Sequence, residues 1–528
     1  MINNMFRKGL VFGIIVLFVG AGVLPSTIGI TKEKMVIAKI GNRGYIQDLI
    51  DNASDGDTIY IPSGIYYESI IINKSISLVG EDKETTIIDG CGGCNVIGIL
   101  FTDWVNISGF TIKNATEYIS PCVVSIIDCN HTTIMDNIIS YGGDGILLSG
   151  INNTITGNNI SSNFNWGIAL DDVHSSPCIN NIISGNNISN NWGGILLDPS
   201  DNIITGNNIT NNNWEGISLF FSSGNIITGN NINLNNGSGI ELYSSSNNNI
   251  TSNNISLNNK KGIHLEDSND NNITGNNISS NNEHGIQLEI SKNNIITNNL
   301  FFDDGLFVNQ CYYYNIVENN IVNNKPLVYL EDESDYTITD AGQIILINCN
   351  NITVENLNLS NTTVGIELCE TDKSMIKNNN CSNNNYGIYL DYHSNSNAIT
   401  CNNIRDNEHG ILLRKLCSYN NINYNNFINN EENAYSVEHN SWNTNYWSDY
   451  EEKYPNAKKK LFKGIWDTPY EIEGGDNQDN YPLIKPFIKP RTRTITRNMA
   501  TFNLLFYWLL ERFPFLEILF NNMRKYLG

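Results

Sequence analysis

Most of this chain has almost no alanine and no run of helix-forming residues, and basic residues are scarce in its central part. Its 528 residues carry 31 Lys plus Arg against 54 Asp plus Glu, a formal net charge of -23. That balance argues against nucleic acid as a partner. It suits cation binding, neutral or basic ligands, or a solvated acidic surface. Soft metal ligands are also few: 7 Met, and 7 His spread from His131 to His439 without paired spacing. Copper would need such donors. The 11 Cys are odd in number and scattered. Cys369, Cys381, Cys401 and Cys417 fall inside a repeat, where a small buried thiol accounts for them. Cys91-Gly92-Gly93-Cys94 has CxxC spacing but no second pair and no nearby His, which argues against zinc and leaves a local disulfide open.

What the chain has instead is a clock. Ile155-Thr156-Gly157-Asn158-Asn159-Ile160 is followed by Gly167-Ile168-Ala169-Leu170, and both motifs recur. The first Asn returns at Asn186, Asn207, Asn230, Asn253, Asn276, Asn298 and Asn319, and again at Asn379, Asn402 and Asn425. The glycine returns at Gly194, Gly216, Gly239, Gly262 and Gly285, then at Gly365, Gly387 and Gly410. Two features on one beat of 21 to 23 residues mean stacked copies of one supersecondary unit. Within each copy the apolar residues stand at i and i+2, which is strand periodicity. A coil made only of short strands and turns is a parallel β-helix, and crossovers of this type are right-handed. The predicted fold is therefore all-β, a right-handed single-stranded parallel β-helix of about 22–23-residue coils. It should stack Ile168, Ile195, Ile217, Ile240, Ile263 and Ile286 in an inward column. Asn suits left-handed corners, and stacked amides can bond to the rungs above and below.

Four segments follow from the chain's changes of character. Residues 1–30 carry Arg7 and Lys8 ahead of an apolar stretch from Gly9 to Leu24, the pattern of a secretory signal peptide or a retained membrane anchor. The β-helix should span 45–430, with a capping helix from Gln47 to Ala53 and an interruption at about 321–351. There Asn324-Lys325-Pro326-Leu327-Val328-Tyr329-Leu330 leads into an acidic stretch, and an insertion of this kind is expected as a side loop on one face. Residues 431–485 form an aromatic, acidic module able to cover the exposed apolar end of the last coil. Its carboxylates Asp449, Asp467, Asp476 and Asp479 could hold Ca²⁺. From Lys485 onward eight basic residues face two acidic ones, giving +6. With Trp508 and many Leu and Phe, 486–528 reads as a basic amphipathic helical tail for a membrane surface or a partner protein.

The opening Gly56-Asp57-Thr58-Ile59-Tyr60-Ile61-Pro62-Ser63-Gly64, followed by Ile76-Ser77-Leu78-Val79-Gly80 and Thr86-Ile87-Ile88-Asp89-Gly90, resembles the start of pectin-lyase-like β-helices. Together with the I-x-x-N-x-I repeats from Ile107 to Phe427, it resembles the NosD-type, periplasmic copper-binding-protein-like proteins found among archaeal surface proteins. Trp442 to Tyr450, Asp467-Thr468-Pro469-Tyr470 and Tyr481-Pro482-Leu483 resemble the terminal module of the same family. The resemblance implies an exported protein and specifies fold better than activity.

The strand alternation places one set of side chains outward. At the first outward position stand Ser218, Glu241, His264 and Gln287; at the second, Phe220, Tyr243, Glu266 and Glu289. After the interruption come Glu367, Tyr389 and Leu412 with Cys369, Asp391 and Arg414. Glu241, His264, Glu266 and Glu289 should lie within one or two coil steps, close enough for carboxylate-assisted hydrolysis or elimination of a glycosidic bond. Phe220, Tyr243 and Tyr389 could stack on sugar rings beside those groups and Asp391. Against catalysis, the N-T-D, D-D, G-H-G and R-I-K set of polygalacturonases is missing, and Asp171-Asp172 matches one element alone. The sequence thus reads as an exported cell-surface protein, carbohydrate-binding or structural in the envelope. A polysaccharide hydrolase or lyase is the alternative and a copper-maturation accessory protein the second. No cofactor is required by this reading, and Ca²⁺ is the one ion it accommodates.

Overall fold

The computed structural model describes residues 44–115, 121–171, 177–198, 200–310 and 314–488. The predicted signal segment and the tail beyond Ile488 lie outside these. No described helix is long and apolar enough to cross a membrane. The chain divides into two compact units, residues 1–213 and 214–528.

The first unit opens with the α-helix Tyr45–Asn52, which buries Ile46 and Ile50. Its first backbone N–H groups are orphans of the helical pattern. Glu68 accepts two of them, from Ile46 at 3.0 Å and Gln47 at 3.1 Å. Three parallel ladders then run up the unit. In one, Ile107, Ile134, Ile155, Ile183 and Ile204 are successive partners. In a second, Ile112, Ile139, Ile160, Ile188 and Ile209 are. In the third, Ile146, Ile168 and Ile195 are. All of these Ile are fully buried. Short strands joined by sharp corners need left-handed backbone, and Asn190 and Asn211 supply it at φ 57° and 56°.

The second unit repeats this plan. Ile217, Ile240, Ile263 and Ile286 pair in register and are fully buried, the predicted inward column. Beside each strand the glycine is a packing requirement: a Cβ on Gly239 would meet Ile255 Cγ2 at 2.6 Å and the Gly262 carbonyl oxygen at 2.7 Å. Buried asparagines form continuous amide ladders. Asn253, for example, donates from Nδ2 to Asn276 Oδ1 at 3.0 Å and to the Ile227 carbonyl at 2.9 Å. Its own Oδ1 accepts the Asn230 backbone N–H and Nδ2–H, both at 3.0 Å. Every polar atom of the rung is thereby used, which is what a buried amide demands. The ladder corrects one register: above Asn276 the buried rungs are Asn299 and Asn320, not Asn298 and Asn319. Asn298 takes the place of the repeat's glycine at a corner, with φ 57°.

The interruption is not a side loop. Ile321–Val322 turns back through Asn323 and Asn324, both at positive φ, to pair antiparallel with Lys325–Glu331. That strand starts a second series, pairing in parallel with Gln343–Ile347, which continues to Val364–Cys369, Tyr386–Asp391, His409–Leu413 and Glu432–Ser436. At its far end Phe427, Trp447 and Tyr470 stack at centroid spacings of 4.4 and 4.0 Å, and Trp466 stacks on Tyr450 at 4.7 Å. These rings close the apolar end of the series. Cys91 and Cys94 are exposed free thiols, whereas Cys369 is disulfide-bonded rather than a free buried thiol.

Candidate functional site

The strands Ile217–Phe220, Ile240–Tyr243, Ile263–Glu266, Ile286–Glu289 and Leu306–Asn309 present one outward face in the second unit. Their register puts Ser218, Glu241, His264, Gln287 and Phe307 in one column, and Phe220, Tyr243, Glu266, Glu289 and Asn309 in the next. Side chains on a pleated strand alternate faces, so inward Ile and Leu fix these residues outward. The lower end is aromatic. Phe220 and Tyr243 stack at 5.2 Å, and Phe221 meets both edge-on. The three rings are 44%, 39% and 60% exposed, in the order Phe220, Tyr243, Phe221.

One coil further along, the face becomes ionic. His264 Nδ1 lies 2.6 Å from Glu241 Oε1, and Nε2 lies 3.6 Å from Glu289 Oε2. His264 is only 6% exposed, and its Nε2 has no hydrogen-bond partner. Glu289 is steadied by Gln287 Nε2 at 3.3 Å and Gln310 Nε2 at 3.5 Å. Ligand atoms of Glu241, His264 and Glu266 all lie within 4.8 Å of one another, and among the described residues this is the group of three that could hold a metal ion.

Other predicted positions are spent elsewhere. Tyr389 and Asp391 are buried. Tyr389 donates to Asp391 Oδ2 at 3.1 Å and accepts from Arg414 at 3.0 Å, under Phe307, whose ring meets Tyr389 edge-on at 5.2 Å. They cannot form an open sugar platform. In the terminal module, Asp479 is buried and its carboxylate accepts N–H groups from Thr444, Asn445, Trp447 and Tyr481. Asp449 accepts the Tyr470 hydroxyl at 2.8 Å. Asp467 accepts the Lys458 N–H at 2.7 Å, and Asp476 is exposed. The structure does not gather these four into a Ca²⁺ cage: among the described residues, the group whose ligand atoms approach closely enough to hold an ion lies elsewhere.

The sequence reading passed over a third column, the residue before each repeat glycine. Register places Glu215, Ser238, Lys261, His284 and Asp304 there. Burial, with Glu241 adding, raises the Glu215 carboxyl to about 7. Burial lowers His284 to about 3, with Lys261 contributing. Glu367 is fully buried, which holds its pKa well above the usual carboxylate range. It accepts the Val308 N–H at 3.4 Å, while Gln343 accepts the Leu306 N–H at 3.0 Å. These two side chains cap the open edge of the Leu306–Asn309 strand. The signal available was a titratable residue directly before the repeat glycine, at Glu215, Lys261, His284 and Asp304.

The geometry defines an all-β, right-handed parallel β-helix protein with an acidic and aromatic outer face. The chain belongs to the NosD family, described as periplasmic copper-binding protein, whose model matches residues 171–304, 259–340 and 302–454. A right-handed β-helix region model matches 95–223. No curated protein matches the chain. Among solved structures it is similar to a mannuronic acid-specific polysaccharide family 6 lyase from human gut microbiota, at 15% identity and TM-score 0.43, covering 60% of this chain and 84% of that one. It is similar to the mannuronan C-5 epimerase AlgE4 A-module of Azotobacter vinelandii, at 13% and 0.33, covering 68% and 88%. It is also similar to the Dettilon tailspike protein, at 15% and 0.35, covering 66% of this chain but only 60% of the tailspike's length. These are likenesses of fold.

The residues do not fit the copper of the family description. Copper(I) takes thiolate and thioether ligands. Burial raises the Cys381 and Cys417 thiols to about 12; the exposed thiols of Cys91 and Cys94 belong to no group of three ligands among the described residues, where the group found offers a single imidazole with two carboxylates.

Proposed function

We propose that this is an exported β-helix protein that binds carbohydrate on the outer face of its second unit, with Phe220, Phe221 and Tyr243 as the stacking platform. The single observation that carries the reading is a contiguous, exposed three-ring cluster on the sheet, with Glu241 on the Tyr243 strand and His264 and Glu266 one coil further on. Exposed apolar patches of this kind mark interaction sites. A sugar ring has an apolar C–H face that covers an aromatic ring and hydroxyls that bond to neighbouring carboxylates. Membership of a family described as periplasmic and the disulfide at Cys369 support export, since such bonds persist in oxidising compartments. Binding rather than turnover is the preferred reading, because Lys260 and Lys261 of these coils are engaged by Trp214 and Glu283 rather than offered to an acidic sugar beside the ionic group.

A glycan array on the purified full chain tests this directly. Tyr243→Ala and Phe220→Ala should each weaken any captured glycan at least tenfold while leaving the melting temperature unchanged. Retained binding in both variants would refute the platform. Release of reducing ends or unsaturated sugars, lost in Glu266→Gln, would instead establish the hydrolase or lyase reading.

A further inference from the structure

The ionic half of the face carries an inference that goes beyond carbohydrate binding. We propose that His264, Glu266 and Glu289 bind a single divalent transition-metal ion, with Zn²⁺ as the ion the donor set suits, and that Glu241 positions the imidazole.

The argument starts from the ring of His264. The 2.6 Å contact of Nδ1 with Glu241 Oε1 assigns the proton to Nδ1, since a carboxylate only accepts. In the neutral ring the lone pair then sits on Nε2. That nitrogen is buried without a hydrogen-bond partner, and it faces Glu289 Oε2 across 3.6 Å. With the ring neutral, a lone pair and a carboxylate oxygen at that range are drawn together only by a cation between or beside them. The spacing suits one. Two ligands each about 2.0–2.1 Å from a tetrahedral Zn²⁺ lie roughly 3.3–3.4 Å apart, so closing on an ion requires only a few tenths of an ångström. Glu266 supplies a second carboxylate from the same strand as His264; its oxygen lies within 4.8 Å of ligand atoms of His264 and Glu241, and register pairs Glu266 directly with Glu289 on the next coil.

The surrounding charge supports the same conclusion. Three carboxylates and one imidazole share this patch, yet the nearest lysines are engaged elsewhere. Lys261 lies 3.1 Å from Glu283, and Lys260 sits 4.5 Å over the Trp214 ring. A ligating His whose other N–H is held by a carboxylate is the usual outer arrangement of a zinc site, fixing tautomer and ring plane. Glu241 occupies that position. One nitrogen and two oxygens select Zn²⁺ over Ca²⁺ through the imidazole, and the lack of sulfur disfavours copper(I).

The test is calorimetric titration of the chelator-treated full chain with Zn²⁺, and separately with Ca²⁺, near pH 7.5. The expected result is one saturable Zn²⁺ per chain with far weaker Ca²⁺ binding. His264→Ala and Glu266→Gln should abolish it or weaken it by well over tenfold, and Glu241→Gln should cost roughly ten- to a hundredfold, as outer-shell partners do. Thermal melts of the metal-free variants check that each still folds. Tyr243→Ala should leave Zn²⁺ binding intact, so failure of the glycan reading and failure of this one are read separately. No saturable Zn²⁺ binding to the parent would overturn the proposal, with His264 then bridging the two carboxylates as an imidazolium. So would binding unchanged in His264→Ala and Glu266→Gln, which would place the ion elsewhere.

Discussion

Asp304 offers the sharpest test of how the buried ladders hold charge. It ends the series Asn235, Asn258 and Asn281, in which Asn258 and Asn281 each accept from the rung before. Its Oδ2 accepts the Asn281 backbone N–H at 3.0 Å and Nδ2–H at 2.8 Å. An asparagine would accept the same two bonds. By the ladder's register its own amide would reach the Ile278 carbonyl, as Asn281 reaches that of Ile255 at 3.3 Å. The carboxyl adds only a charge in a buried place. Burial raises its pKa from 3.8 to about 7, opposed by the two Asn281 bonds and helped by Asp303. Between those values the folded protein keeps a proton that the unfolded chain has released, so stability falls as pH rises through the window from about 4 to about 7.

Each pH unit of that window is worth about 1.4 kcal/mol, so the whole effect has a ceiling of about 4 kcal/mol. Asp304→Asn removes it. The variant should be close to the parent near pH 4.5 and more stable by roughly 2–4 kcal/mol at pH 8. Long repeat arrays do not melt as two states. The suitable readout is therefore native-state hydrogen exchange of the coils around Asn281, comparing the two proteins at the same pH. His284, which titrates in the opposite direction, is present in both and cancels. A difference independent of pH between 5 and 8, or a variant less protected than the parent at pH 8, would refute the assignment of a buried charge.

Two further predictions use the repeat itself. Asn253→Ala leaves the Asn230 N–H and amide without an acceptor in the core and should cost roughly 3–5 kcal/mol. Asn254→Ala, next in sequence but exposed, breaks only water-accessible amide bonds, to Asn231 at 2.8 Å and from Asn277 at 2.9 Å; it should stay within about 0.5 kcal/mol, and equal losses on local hydrogen exchange would contradict the ladder. Gly239→Ala drives a methyl into Ile255 and the Gly262 carbonyl, which cannot both yield; a loss of about 2 kcal/mol or more should appear as faster exchange at Ile240 and Ile263, and an unchanged profile would show that the coil spacing is looser than drawn.

The inward columns were legible because strand alternation and the coil step act together: once Ile168 or Ile263 is inward, its neighbours' faces follow. The same logic placed Glu241, His264, Glu266 and Glu289 on one face. It failed where the motif supplies two equivalent letters, as at Asn298-Asn299, since either asparagine fits the pattern and only the rung below decides. It failed again at Tyr389 and Asp391. Periodicity assigns a residue to a column but does not say which column another segment will cover, and Arg414 reaches Asn309 across 105 positions.

The hairpin at Asn323-Asn324 was hidden for a related reason. A turn-prone dipeptide inside an Asn-rich repeat does not stand out, and the strand reversal that restarts the series depends on pairing between distant residues. The columns that repeats keep uniform are those the fold constrains, and these read easily. Glu215, His264, His284 and Asp304 are titratable groups set into that frame. Holding such a group costs stability unless something compensates it. For Asp304 the compensation is a retained proton. For His264, whose Nε2 alone among these atoms is aimed at an unneutralised carboxylate, the compensation available is a bound cation.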